Sequence, residues 1–234
     1  MYIIYNIILG MEIFLSIAIN ILIFWIGYLI GSLNASIIVG KLFYKKDVRE
    51  FHSKNAGATN SLRVFGYKVA IVILFIDIFK VVFATYFVRI VFPFVFSPKL
   101  YFYIPLIAGL AAQIGQAYPI YFKFRGGKGV AATVGLLISI NVLLWPIAGV
   151  FFFLLLFKTK YVSLSSLLTT LIMIGFISIP WMSQGVLSYA TSGFGQFWVN
   201  IIIYLFAAAL IFWKHRENIK RLLSKTENKM KFKK

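Results

Sequence analysis

Long apolar runs constrain this chain more than any other feature. A helix that crosses a bilayer needs about 20 mostly apolar residues. Runs of this kind recur along the sequence, at 13–31, 69–96, 101–117, 130–157, 167–181 and 197–213. Soluble domains are nearer half apolar and a quarter charged, whereas here 61% of 234 residues are hydrophobic and 13% charged. A soluble core of this size cannot hide so much apolar surface, so the solvent must be largely lipid. The first run reads as a span and not as a secretory signal. The start, 1–10, has no positive charge, and no small-residue cleavage site follows.

Charge sets the expected topology. Lys and Arg number 24 against 6 Asp and Glu, a net charge of +18. In a lipid-solvated chain this excess belongs at a water-facing surface, beside anionic lipid or an anionic substrate, so no nucleic-acid partner is expected. The segments 41–68, 123–128, 158–160 and 214–234 hold seven, three, two and nine of the basic residues. Only Lys80, Arg89 and Lys99 lie elsewhere. Basic residues collect on the cytoplasmic side. If all four clusters are inside, the chain crosses an even number of times between Lys128 and Lys158. A single span over 130–157 cannot do that, but two short antiparallel helices hinged near Asn141 and Pro146 can. The expectation is an all-α polytopic membrane protein with about seven transmembrane helices, N-terminus outside and C-terminus cytoplasmic. Residues 1–224 then form one transmembrane domain with cytoplasmic loops. Residues 225–234 read as a basic cytoplasmic tail lying on the lipid surface. Gly27 and Gly31 read as a helix-packing pair. Cysteine is absent, which excludes disulfides, thiolate metal sites and Cys nucleophiles.

The informative residues are the polar ones on or under the cytoplasmic face. Ser32 and Asn34 follow the first span. Asp47, Arg49, Ser53, Asn55, Gly57, Thr59, Asn60 and Arg63 crowd the next segment. Backbone N–H groups, amides and guanidinium forks are the parts of an oxyanion or phosphate cradle, although a solvated, capped loop has the same composition. Gly126, Gly127 and Gly129 surround Lys128 just before a predicted helix, an arrangement that lets backbone approach an anion at a helix N-terminus. It is not a Walker A loop, because Phe122 and Gly129 stand where that motif needs Gly and Ser or Thr. Asp77 and Lys80, three apart on one helix face, read as a mutually neutralising pair that backs the anion site from below. His215, Arg216 and Asn218 close the last span.

Taken in order, these clusters resemble the bacterial acyl-phosphate-dependent glycerol-3-phosphate acyltransferases. The likeness runs through Asp47, Arg49, Ser53, Asn55, Gly57, Ala58, Thr59, Asn60 and Arg63, then Asp77 and Lys80. It continues through Phe124 to Ala131 with Thr133, and through His215 to Leu222. It covers nearly the whole chain. There are departures: Gln116 stands where the family usually has His, His52 and Lys54 replace glycines, Asn34 replaces a proline, and Val81 and Lys225 replace glycines. No acid–base role can therefore rest on position 116.

The resemblance implies transfer of an acyl group from acyl-phosphate to the sn-1 hydroxyl of glycerol 3-phosphate, giving lysophosphatidate and phosphate at the inner face of the cell membrane. It implies catalytic roles for His215, Asn218 and Lys128. Ser32, Arg49, Ser53, Asn55, Thr59, Asn60, Lys80, Gly126, Gly127, Gly129 and Arg216 are expected to bind the phosphorylated substrates. Neither a metal nor another cofactor is implied, and the oligomeric state is left open. Acyl-phosphate is already activated, so positioning matters more than a strong nucleophile. The sn-1 proton has two possible acceptors, His215 and the substrate's own phosphate, whose second pKa is near 6. On the residues alone, the favoured role is that of a positioning donor: Lys214 and Arg216 favour the neutral ring, but with substrate bound the phosphate charge favours a protonated His215. The alternative function is an organic-phosphate transporter with the same cations. A transport path should be lined across the bilayer, whereas nearly all polar residues here lie on one face.

Overall fold

A computed structural model describes residues 2–184, 187–188 and 196–230 of the chain. All regular structure among them is helical. Helices α1 (Tyr2–Ser32), α4 (Tyr67–Val95) and α10 (Gln196–Lys214) are long and apolar enough to cross a membrane. Shorter apolar helices fill the space between them: α5 (Leu106–Ala117), α6 (Val130–Ile140), α7 (Leu144–Thr159) and α8 (Val162–Ile177). Short helices α2 (Ala35–Tyr44), α3 (Ala58–Phe65), α9 (Pro180–Gln184) and α11 (Arg216–Leu223) complete the set. Large side chains such as Phe79, Phe83, Trp198 and Phe206 stand exposed on the outside of the bundle. Water would not tolerate that belt, but lipid does, so the protein is membrane-integral.

The centre of the bundle is built from small residues. A Cβ on Gly27 or Gly31 would overlap the Ala108 or Ala112 carbonyl, and one on Gly115 would overlap that of Tyr28. Helices α1 and α5 therefore touch backbone to backbone, which makes the packing role of Gly27 and Gly31 concrete. Gly135 does the same for α6 against Ile78 of α4. Val81, Ala84, Ala108, Ala112, Leu136 and Tyr204 fill the core around these contacts.

The hinge expected near Asn141 is present. Helix α6 ends at Ile140, and the buried Asn141 accepts from the Leu143 N–H at 2.9 Å while its own carbonyl takes the Leu144 N–H at 3.0 Å. Pro146 then falls in the first turn of α7, where a missing N–H costs nothing. Two boundaries differ from expectation. Helix α1 begins at Tyr2 rather than near Ile13. The run 101–117 is helical only from Leu106. Its extended start survives because α1 supplies partners: Ser16 Oγ accepts the Phe102 N–H at 3.0 Å, and Asn20 bonds the Phe102 carbonyl at 2.9 Å and the Ile104 N–H at 3.0 Å. Non-helical backbone at membrane depth persists only when protein satisfies it. The expected outer loop 182–196 lies mostly outside the described residues.

Candidate active site

Two loops and two helix ends converge at one end of the bundle. The first loop is organised by Arg49. Asp47 accepts from the Arg49 backbone N–H at 3.0 Å, from Nε at 2.9 Å and from Nη2 at 2.7 Å. These bonds from Arg49 hold the Asp47 carboxyl down at about 2. The remaining nitrogen, Nη1, donates to the carbonyls of Phe122 at 2.9 Å and Arg125 at 3.0 Å. Arg49 thus joins the two loops and spends four of its five side-chain donors on protein. Asn60 is spent likewise: Nδ2 donates to Val48 and Phe51 carbonyls, and Oδ1 takes the Ser53 N–H. Asn34, at the N-cap of α2, reaches the Ala56 carbonyl at 3.2 Å.

The glycines of the second loop serve a different neighbour from the one expected. A Cβ on Gly126 would overlap the Gln116 carbonyl, and one on Gly127 would lie 2.8 Å from the Ala56 carbonyl. Their close approach is to other backbone, so that Gly127 N–H can reach the Gln116 carbonyl at 2.9 Å and Ala56 N–H the Gly126 carbonyl at 3.4 Å. Gly129 differs: its φ of +84° is a left-handed turn that favours glycine and starts α6. Lys128 is left projecting, and its Nζ donates to Asn218 Oδ1. Burial pushes the Lys128 ammonium down to about 8.

His215 caps α11 and is 2% exposed. Its Nδ1 lies 2.9 Å from the Ile211 carbonyl. A carbonyl only accepts, so Nδ1 carries the proton and Nε2 is left with its lone pair. Burial, then the charge of Lys128, pushes the imidazole down to about 4. Without substrate the ring is therefore neutral at pH 7; the protonated donor was expected for the site with phosphate bound.

The chain end turns inward. Residues 225–230, expected to lie on lipid, cross the turn between α7 and α8, where Met230 N–H bonds the Lys160 carbonyl at 2.8 Å. Glu227 accepts from Asn218 Nδ2 at 2.7 Å, Ser163 Oγ at 2.9 Å and Arg221 Nε at 2.7 Å. Burial alone would raise its pKa, but the bonds from Asn218, Arg221 and Ser163 keep it lowered. An ionised carboxylate cannot donate, so Asn218 must turn its NH₂ to Glu227 and its oxygen to Lys128.

These groups enclose a cavity of about 570 Å³. Its polar end holds Ser53, Asn55, Thr59, Asn60, Lys128, Gly129, His215 and Asn218 from the expected set. Arg63, Ser163, Ser166, Arg221 and Glu227 line it too, and none of these was among the expected site residues. Asp77 and Gln116 lie at its inner wall. Its other end is apolar, between Ile71 and Leu74 of α4 and Phe152, Phe153 and Leu156 of α7. Ser32, Arg49, Lys80, Gly126, Gly127 and Arg216 do not line it. Ser32 is buried and accepts the Ile120 N–H, Lys80 is paired with Asp77 at 2.9 Å, and Arg216 is exposed with its guanidinium 5.0 Å from the Trp213 ring.

Known proteins share this architecture. Residues 21–225 match the family described as glycerol-3-phosphate acyltransferase. A Mycoplasma mobile protein of that name is 40% identical, with 92% of this chain and 94% of that one covered. One from Mycoplasmopsis agalactiae is 39% identical over 96% and 99% of the two chains. Among solved structures, PlsY (YgiH), an integral membrane glycerol 3-phosphate acyltransferase in its glycerol 3-phosphate form, matches with a TM-score of 0.73 at 26% identity, covering 91% of this chain and 96% of that one. The lysophosphatidic acid form of the same enzyme matches with a TM-score of 0.71. A family match that spans most of the chain, relatives near 40% identity and a shared fold agree: this chain belongs to the glycerol-3-phosphate acyltransferase family.

Proposed function

We propose that this protein moves the acyl group of an acyl-phosphate to the sn-1 hydroxyl of glycerol 3-phosphate. The observation that carries this reading is the two-ended cavity. Cations and amides at one end suit phosphate, and an apolar trough between membrane helices at the other suits an acyl chain. Solved relatives with glycerol 3-phosphate and with lysophosphatidic acid, the product of such a transfer, support it.

In this mechanism Lys128 and Arg63 hold the anionic groups at the cavity mouth. Asn218, fixed by Glu227, keeps Lys128 aimed inward. The Nε2 lone pair of His215 accepts the hydrogen bond of the sn-1 hydroxyl and orients its oxygen at the acyl carbonyl. That oxygen attacks the carbonyl carbon, the bond from carbon to the phosphate oxygen breaks, and inorganic phosphate leaves. The hydroxyl proton passes to a phosphate dianion, which near pH 7 is a better base than an imidazole depressed to about 4. The N–H groups of α6's first turn, which have no partner within the helix, would face the tetrahedral oxyanion. Arg49, Lys80, Gly126 and Gly127 contribute by holding the loops rather than by touching substrate. Purified protein supplied with palmitoyl-phosphate and glycerol 3-phosphate should form lysophosphatidate and phosphate one for one. The assignment fails if neither product appears while the folded protein binds both substrates.

The reaction is placed at the cytoplasmic face of the cell membrane, with α1, α4, α5, α6, α7, α8 and α10 as seven spans and the N-terminus outside. Basic residues gathered at the end of the bundle that holds the cavity support this orientation. A cysteine at the exposed Lys99 should react with an impermeant maleimide on intact cells, and one at the exposed Lys46 only after lysis. Labelling of both on intact cells would refute the orientation.

A further inference from the structure

Gln116, near the end of α5, closes a buried ring with Asp77 and Lys80. Lys80 Nζ donates to Asp77 Oδ1 at 2.9 Å, to the Leu33 carbonyl at 3.1 Å and to Gln116 Oε1. Gln116 Nε2 donates to Asp77 Oδ2 at 2.8 Å. Asp77 also takes the backbone N–H of Ala35, so the ring ties the start of α2 and the end of α1 to α4. The three ammonium hydrogens are all used, and the carboxylate has a donor on each oxygen. On the other side, the backbone carbonyl of Gln116 takes the Gly127 N–H at 2.9 Å, so the side-chain ring fixes the residue whose main chain holds the loop, and a Cβ on Gly127 would lie 3.2 Å from Gln116 Nε2. The residue therefore joins a charge pair inside the bundle to the backbone immediately before Lys128.

We propose that Gln116 is a positioning residue for Lys128, and that it makes the placement of the second loop independent of pH. The task requires one acceptor facing Lys80 and one donor facing Asp77. An amide always offers both. A carboxylate offers no donor, and an alkyl side chain offers neither. An imidazole, whose two nitrogens are spaced much as the amide's oxygen and nitrogen, offers both only while neutral, because protonation removes its acceptor. The charged and titratable groups around position 116 are Asp77 and Lys80 on α4, Tyr28 on α1, Tyr118 after α5, Lys128 in the second loop, and Lys214 and His215 on and after α10. Helix α6 carries no charged residue, and α1 carries only Glu12, about 30 Å away along its axis.

This inference rests on the acyltransferase reading for its kinetic readout and on the fold alone for its structural one. Steady-state kinetics of the full chain in detergent would be measured from pH 6 to 8.5 for wild type, Gln116→His, Gln116→Glu and Gln116→Leu. Hydrogen exchange of the peptide containing Gly127 would be followed in parallel. Gln116→Leu and Gln116→Glu should raise the KM for glycerol 3-phosphate tenfold or more and speed exchange at Gly127. Gln116→His should retain at least a third of wild-type activity at pH 8.5 and, by pH 6, fall a further tenfold beyond the decline that the substrate phosphate imposes on wild type. Should Gln116→Leu fail to fold, the Gln116→His profile still decides. A Gln116→His profile parallel to wild type, or unchanged exchange at Gly127 in folded Gln116→Leu, would overturn the proposal. If wild type itself transfers no acyl group, the functional reading fails, and the exchange measurement alone decides the role of Gln116.

Discussion

Replacing Lys128 with alanine is expected to lower kcat/KM for glycerol 3-phosphate by a hundredfold or more, about 2.7 kcal/mol of transition-state stabilisation. The size follows from the surroundings. The ammonium is largely buried, its pKa is pushed down to about 8 despite the charge of Glu227, and its hydrogen-bond partner among the described residues is a neutral amide. It is thus a desolvated cation without a carboxylate of its own, and a substrate phosphate would supply the missing charge. Charge-assisted bonds in such a setting are about twice as strong as neutral ones. Because the free ammonium titrates near 8, wild-type affinity for glycerol 3-phosphate should also weaken as pH rises through 8 to 9, and Lys128→Ala should lose that dependence. Unchanged kinetics in the folded variant would return the loop to the status of a connector. Lys128→Arg should recover only part of the loss, since a guanidinium cannot sit where the narrower ammonium meets Asn218.

His215→Ala should lower kcat by about a hundredfold while KM changes less than fivefold, because a lost hydrogen bond to the reacting hydroxyl acts mainly on the transition state. The pH profile separates the two proton acceptors. With its pKa near 4, the imidazole stays neutral from pH 8 down to 5 and creates no limb there. The substrate phosphate, titrating near 6, does create one. An acidic limb near pH 6 should therefore appear in wild type and persist in His215→Ala. Loss of that limb in the variant would make His215 the base itself.

Much of the fold was legible from charge and apolar length. The hinge at Asn141 followed from arithmetic on basic clusters, because two helices of half length have the same composition as one tilted span. The extended stretch before Leu106 was not legible, since its support comes from Ser16 and Asn20, more than 80 residues earlier. The site shows a similar division. Lys128, His215 and Asn218 stand out by their motif positions. Arg49 was read as a ligand-binding fork; the structure gives its guanidinium to Asp47, Phe122 and Arg125, and Asp47, two residues before it, was the visible sign of that pairing. Arg63 was visible in the same run and passed over. Ser163 sits in a helix start of ordinary appearance, and Glu227 was absorbed into a run read as polybasic. The overlooked signal was the rarity of acids: with 6 in the chain, one set among lysines calls for a reason.

The unequal lengths of α6 and α7 set where the two reactants meet. From their common turn at Asn141, α7 climbs 16 residues, about 24 Å, to the surface turn at Lys160, while α6 climbs only 11, about 16 Å, before it reaches Lys128. Along the helices, the second loop is therefore reached about five residues, roughly 8 Å, sooner than the turn at Lys160. In the proposed reaction a loop set back in this way would bring the water-soluble phosphate down to the lipid donor, rather than the donor up into water. The acylated product can then slip sideways into one leaflet without ever exposing its tail to water, and its onward diffusion is confined to two dimensions.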